Sequence, residues 1–147
     1  MNIVLKAKDI KNDEIFFLEP IKNIILSNSK FIRIIYSNNM ITLNGIYLSC
    51  IIDNYDKINN YGIYLYIQYL ENNILEKFST YKSKSYKLRE YFNSNFINKN
   101  ENNINYQSGD NKEQYILKIS GIWDTNSVIG LTFKFLKINN SLSISRE

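Results

Sequence analysis

"LKISGIWDTNSVIGLTFKFL", residues 117–136, reads as two strands joined by a tight turn at Asp124-Thr125-Asn126. In its second half Ile129, Leu131, Phe133 and Phe135 point one way. Gly130, Thr132 and Lys134 point the other, and Leu136 ends the polar side. Successive side chains of a strand lie on opposite faces, so this period of two marks a sheet with one face committed to a core. Asp and Asn suit the bend, because their side chains bond nearby backbone and tolerate turn geometry.

Outward from the hairpin, more strands follow. "KFIRIIYS" (30–37) is rich in Ile and aromatic residues, and Asn38-Asn39 supplies a turn. "MITLNGIYLSCII" (40–52) reads as a long strand that Gly45 interrupts with a bulge or bend. "NIVLKAK" (2–8), "IFFL" (15–18) and "YGIYLYIQ" (61–68) read as further strands, and Pro20 opens a short helix, "PIKNIILSN". The period changes at "YLENNILEKFSTY", where Leu70, Ile74, Phe78 and Tyr81 recur every three to four residues. That spacing predicts an amphipathic helix over 69–82, with Glu71 and Glu76 on its polar side. "SYKLREYF" (85–92) extends that helix or forms a second one. Residues 93–112 are polar and Asn-rich and read as a long loop, with a short strand at "NFIN".

The expected fold is a β-rich α+β domain spanning residues 1–147. It is either a mainly antiparallel sheet covered by a helix or a small OB-like barrel with an inserted helix. Length and composition agree: 147 residues, 44% hydrophobic and 22% charged, are enough for one core. Asn, Ile, Lys and Tyr dominate. AT-rich codons encode these residues, so the 12 tyrosines reflect codon bias as well as chemistry.

Composition also excludes chemistries. There is no histidine and only one cysteine, Cys50, so Cys/His zinc sites, Ser-His-Asp triads and intramolecular disulfides are ruled out. Cys50 sits in an apolar run and reads as a small buried hydrophobe. Neither a phosphate-binding loop motif nor a dinucleotide fingerprint occurs. Asp53 and Asp56 are too few oxygen ligands for a cation site and read as a solvated turn. The expectation is a non-enzymatic protein without cofactor or metal. No long apolar segment marks a signal or a membrane span, so an intracellular location is expected.

The positive signal is basic and aromatic interleaving on a net charge of +4. "YKSKSYKLREY" (81–91) carries Lys82, Lys84, Lys87 and Arg89 among tyrosines that include Tyr86. The hairpin adds Lys118, Lys134 and Trp123, which either caps the core or offers a stacking platform. "FIRIIYS" adds Arg33, on the side opposite Tyr36, and "YGIYLYIQ" adds Tyr64 and Tyr66. Cations for phosphates and rings for bases are the ingredients of single-strand recognition. The plain alternative is a charged helix face with tyrosines packed beneath it.

Ile119-Ser120-Gly121-Ile122-Trp123, a short acidic turn, and Gly130-Leu131-Thr132-Phe133-Lys134-Phe135 resemble a pattern of small OB-type single-stranded DNA-binding proteins. Those proteins belong to large DNA viruses and related mobile elements, the phage-type class included. The resemblance implies coating and protection of unwound DNA during replication, with no catalytic residue. Phage-type binders end in an acidic tail that recruits partners, whereas this sequence ends "SISRE", so the resemblance does not extend to that route. The competing expectation is a structural or interaction module, a virion or assembly component that self-associates through a sheet edge or an apolar patch.

Overall fold

The computed structural model describes residues 4–22, 28–98 and 112–138. Its central strand is β7 (Lys112–Asp124), which pairs along one edge with β8 (Val128–Lys137). The other edge is shared end to end. β5 (Ile46–Asp53) pairs with residues 112–119, and the first half of β3 (Lys30–Ser37) pairs with residues 121–124. The second half of β3 leaves β7 and pairs with β1 (Ile15–Phe17) and β4 (Thr42–Leu43), while β2 (Ile21–Lys22) flanks its start. β6 (Ser83–Ser85) adds a short parallel strand outside β8.

The result is a mixed eight-stranded sheet in a strand-rich α+β fold, and the sheet does not close into a barrel. Closure would need the outermost strands to pair. Among the described residues β6 pairs only with β8, and β1 only with β3. The helix-covered sheet is therefore the form adopted. Two helices, α1 (Lys57–Phe78) and α2 (Lys87–Phe92), lie on one face of it. No helix among the described residues is long and apolar enough to cross a membrane.

Several local expectations are corrected. Residues 61–68 are not a strand but the middle of α1, which begins twelve residues earlier than its periodicity suggested. Asp56 caps it, accepting the Asn59 N–H at 3.0 Å, while Asp53 Oδ1 accepts the N–H groups of Tyr55 and Asp56. The pair is thus a helix start. Tyr81 lies beyond the helix and is exposed, and Glu71 is buried. Ile21–Lys22 are strand where a helix was expected, and residues 23–27 lie outside the described residues. In the N-terminal segment Leu5 forms a single bridge to Leu48, and Ala7–Asp9 turn as a 3-10 helix. "NFIN" is no strand: Asn93–Ile97 wind as a π-helical turn, and residues 99–111 lie outside the described residues.

The two faces of the sheet are set by the hairpin. Ile32, Ile34, Ile46, Leu48, Leu117, Ile119, Ile122, Ile129 and Leu131 are all buried on the helix side, against Ile67, Leu70, Ile74 and Leu75 of α1. Ile119 and Ile122 share that side although they are three residues apart. A β-bulge resolves the parity: the register shifts between Ile119 and Gly121, leaving Ser120 as the extra residue. Without it one half of β7 would turn its apolar side chains outward. Gly45 makes the sharp passage from β4 to β5 at φ +117°, a conformation that side chains disfavour.

One buried polar node ties the helices together. Glu71 has no exposed surface, and its carboxylate accepts the N–H of Leu88 at 3.0 Å, the N–H of Arg89 at 3.3 Å and the Arg89 Nε at 2.8 Å. The first two are free donors at the start of α2, whose own N-cap residue, Tyr86, provides no side-chain bond. Glu71 therefore caps α2 from another helix. Burial pushes its carboxyl up, and the Arg89 guanidinium opposes that push. Removing one partner of such a pair leaves the other charge stranded. Glu71→Ala is expected to cost about 3–5 kcal/mol in urea unfolding. Glu90→Ala, where both the carboxylate and its partner Lys87 are exposed, should cost under about 1 kcal/mol; equal losses would contradict the node.

Candidate functional site

Among the described residues, no element covers the face of the sheet opposite the helices. The alternation that buries Ile32 and Ile122 turns Phe31, Arg33 and Trp123 outward, and the same parity turns out Tyr47, Lys118, Thr132 and Lys134. Register arranges them in rows. Tyr47, Lys118 and Lys134 are cross-strand neighbours, as are Phe31, Trp123 and Gly130, with Arg33, Gly121 and Thr132 between.

Two glycines shape this face. A Cβ on Gly130 would overlap the Trp123 ring, and one on Gly121 would collide with the Phe31 ring and the Ile32 carbonyl. Both rings therefore lie down over backbone that has no side chain to lift them. A ring seated this way keeps its other face turned away from the sheet. Trp123 is half-buried on the outer face, so it is neither a core cap nor a fully exposed ring. The Arg33 guanidinium lies 5.6 Å from the centre of the Phe31 ring, and Lys118 Nζ lies 5.4 Å from that of Tyr47. Each is a cation–π contact, which leaves the cation's remaining donors available. Arg33 also donates to Asn44 Oδ1 at 3.1 Å.

Electrostatics separates the cations singled out from sequence into two groups. Lys82 donates to Asp124 Oδ2 at 2.7 Å, tying the segment before β6 to the hairpin tip. Lys84 meets Glu76 at 3.5 Å and donates to the Lys82 carbonyl. Lys87 is exposed, 3.8 Å from Glu90. Arg89 is held by Glu71, Asn72 and the Gln68 carbonyl, and its guanidinium lies 3.9 Å from the centre of the Tyr86 ring. All four have carboxylate partners, and none shares a surface with the open face. Arg33, Lys118 and Lys134 have no ion-pair partner among the described residues, and all three lie on that face. Among the described residues the one carboxylate on that face, Asp53, sits at the far end of β5 and is engaged by the turn before α1.

The remaining aromatic candidates are elsewhere. Tyr64 is on α1, stacked on Tyr61 at 5.9 Å and tilted against Phe92. Tyr66, also on α1, donates its hydroxyl to the Ala7 carbonyl. Of the sequence-derived set, the structure brings together Arg33, Lys118, Trp123 and Lys134. Sequence reasoning missed Phe31 and Tyr47. Their signal was present: each stands one residue from a core position in an alternating strand, Phe31 beside Ile32 on the parity of Arg33, and Tyr47 between Ile46 and Leu48.

A cleft of about 430 Å3 lies between β5 and the first half of α1, lined by Leu48, Cys50, Ile58, Gly62, Ile63 and Tyr66 among others. No charged side chain lines it, so it has nothing to hold a phosphate. Burial pushes the Cys50 thiol up to about 12. The thiolate is the reactive form, so Ellman's reagent near pH 8 should label Cys50 only after unfolding. Rapid labelling of the folded protein would contradict its burial.

Compared with known proteins, the chain matches no family, no curated protein and no solved structure. What the open face can do therefore rests on its own chemistry. Trp123 is the one tryptophan of the chain, so fluorescence reports on this face alone. Unpaired cations around it should make iodide a stronger quencher than caesium, and more so at low salt. An iodide-to-caesium ratio no greater than that of a free neutral indole would mean that the face carries no positive field.

Proposed function

We propose that the protein is a non-enzymatic binder of single-stranded nucleic acid, with the open sheet face as its contact surface. Phosphates meet Arg33, Lys118 and Lys134, and bases stack on Trp123, Phe31 and Tyr47. The observation that carries this reading is the gathering, on a face where the described residues place no free carboxylate, of cations without an ion-pair partner among the described residues beside flat-lying rings. An exposed sheet with aromatic platforms is a recurrent way to hold splayed bases, and such platforms tolerate any base. The resemblance of residues 119–135 to viral single-stranded DNA-binding proteins supports the same reading and favours protection of unwound DNA as the role. The self-associating module draws on a different surface, the outer side of α1.

Fluorescence titration with oligo-dT tests the proposal. Three phosphate contacts give a slope of log K against log salt of about −2 for a single strand, and Lys118→Ala should flatten it by about 0.7. Trp123→Ala should weaken binding by about 1–3 kcal/mol, the range for one stacked base. Lys87→Ala, at an exposed cation away from the face, should leave affinity within twofold. A flat titration at low salt with folded protein would overturn the proposal. So would a loss at Lys87 larger than at Lys118.

A further inference from the structure

α1 is apolar on two opposite sides. One side packs Ile67, Leu70, Ile74 and Leu75 into the core. At 100° per residue, Ile58, Gly62, Leu65 and Tyr69 fall on the side directly away from it, with Tyr61 at the margin. Ile58 is 86% exposed, Tyr61 53%, Leu65 49% and Tyr69 62%. No charged residue occurs from Ile58 to Leu70, and the outer side first becomes ionic at Glu76. A helix on a protein surface ordinarily carries a polar outer face, and one that is apolar all round is covered. The stripe contains no cation, so it offers nothing to a polynucleotide and is independent of the function proposed above.

The pattern of the stripe indicates its occupant. Its four positions are symmetric about a point between Ile63 and Tyr64, so in an antiparallel pair Ile58 falls opposite Tyr69 and the small Gly62 opposite the large Leu65. We infer that α1 is a homodimer interface, packed antiparallel against α1 of a second copy about a two-fold axis at that point. Nothing lies within 4 Å of where a Cβ on Gly62 would be, so Gly62 is an open notch, and Leu65 of the second copy fills it. Such self-complementarity is what an isologous contact requires. Complete covering of these residues would bury at most about 500 Å2 per protomer and about 1,000 Å2 per pair, the lower bound for a specific interface. The dimer is therefore weak and concentration-dependent. Because α1 covers the inner face of the sheet, both open faces remain on the outside of the pair.

Sedimentation equilibrium from low-micromolar to millimolar protein should show a monomer–dimer equilibrium. Leu65→Glu should abolish it, and so should Gly62→Gln. The glutamine has free space in the monomer and improves helix propensity, so its melting temperature should not fall and a folding defect is kept apart from a lost interface. Register is read by oxidation: a mixture of Ile58→Cys and Tyr69→Cys chains should cross-link, and neither alone should. Positions 58 of the two copies stand about 16 Å apart along an antiparallel pair. A monomer at every concentration would overturn the inference and assign the stripe to another partner. A dimer indifferent to both variants, or cross-linked through residue 58 alone, would overturn it equally.

Discussion

Ser120 is the residue of β7 without a cross-strand counterpart, and the two-sidedness of the sheet rests on it. β7 serves three partners: β8 along one edge, and β5 and β3 end to end along the other. Side chains alternate strictly along a strand, so a continuous β7 could not point both Leu117–Ile119 and Ile122 into one core. The bulge restores the parity. It also turns Lys118 and Trp123 to the same outer face, although they are five residues apart and would lie there only with one residue inserted. The core and the candidate interface are thus two consequences of one irregularity. The glycines complete it: Gly121 and Gly130 leave room for Phe31 and Trp123 to lie flat.

Charge is distributed by the same logic. Lys82, Lys84 and Arg89 lie where β6 and α2 must be fastened to the hairpin and to α1, and each has a carboxylate of another element within 4 Å, whereas Lys87 meets only Glu90 of its own helix, in solvent. Buried ion pairs hold geometry at a desolvation cost, and they offer little to a ligand. Arg33, Lys118 and Lys134 fasten nothing by ion pairing. Lys118 and Arg33 instead rest against aromatic rings, a contact that a phosphate can share. The cation-rich segment of the sequence is structural, and the sparser cations of the sheet are the ones available.

What could be read from sequence follows from how local each signal is. The hairpin was legible because alternation and turn chemistry act over a few residues, and β3 and the break at Gly45 were legible for the same reason. The first half of α1 was not. Its Ile and Tyr residues favour strands, and "YGIYLYIQ" holds no charge to mark a polar side. The period that reveals it, Ile63, Ile67, Leu70 and Ile74, emerges only when the run is read together with the helix that follows. The pairing of Lys82 with Asp124 and of Arg89 with Glu71 spans 42 and 18 residues, and no local rule reports such partners. Hence the cations of residues 81–91 looked like a binding stripe. Phe31 and Tyr47 went unassigned because, in an apolar run, the outward residues look like the core residues beside them.

The most direct test of the open face is a map of amide and indole shifts by heteronuclear NMR as a short single-stranded oligonucleotide is added. The account predicts changes confined to the rows through Phe31–Trp123–Gly130 and Tyr47–Lys118–Lys134, with the Trp123 Nε1 resonance moving most. Shifts clustered on residues 81–91 or on α1, with those rows unmoved, would contradict it.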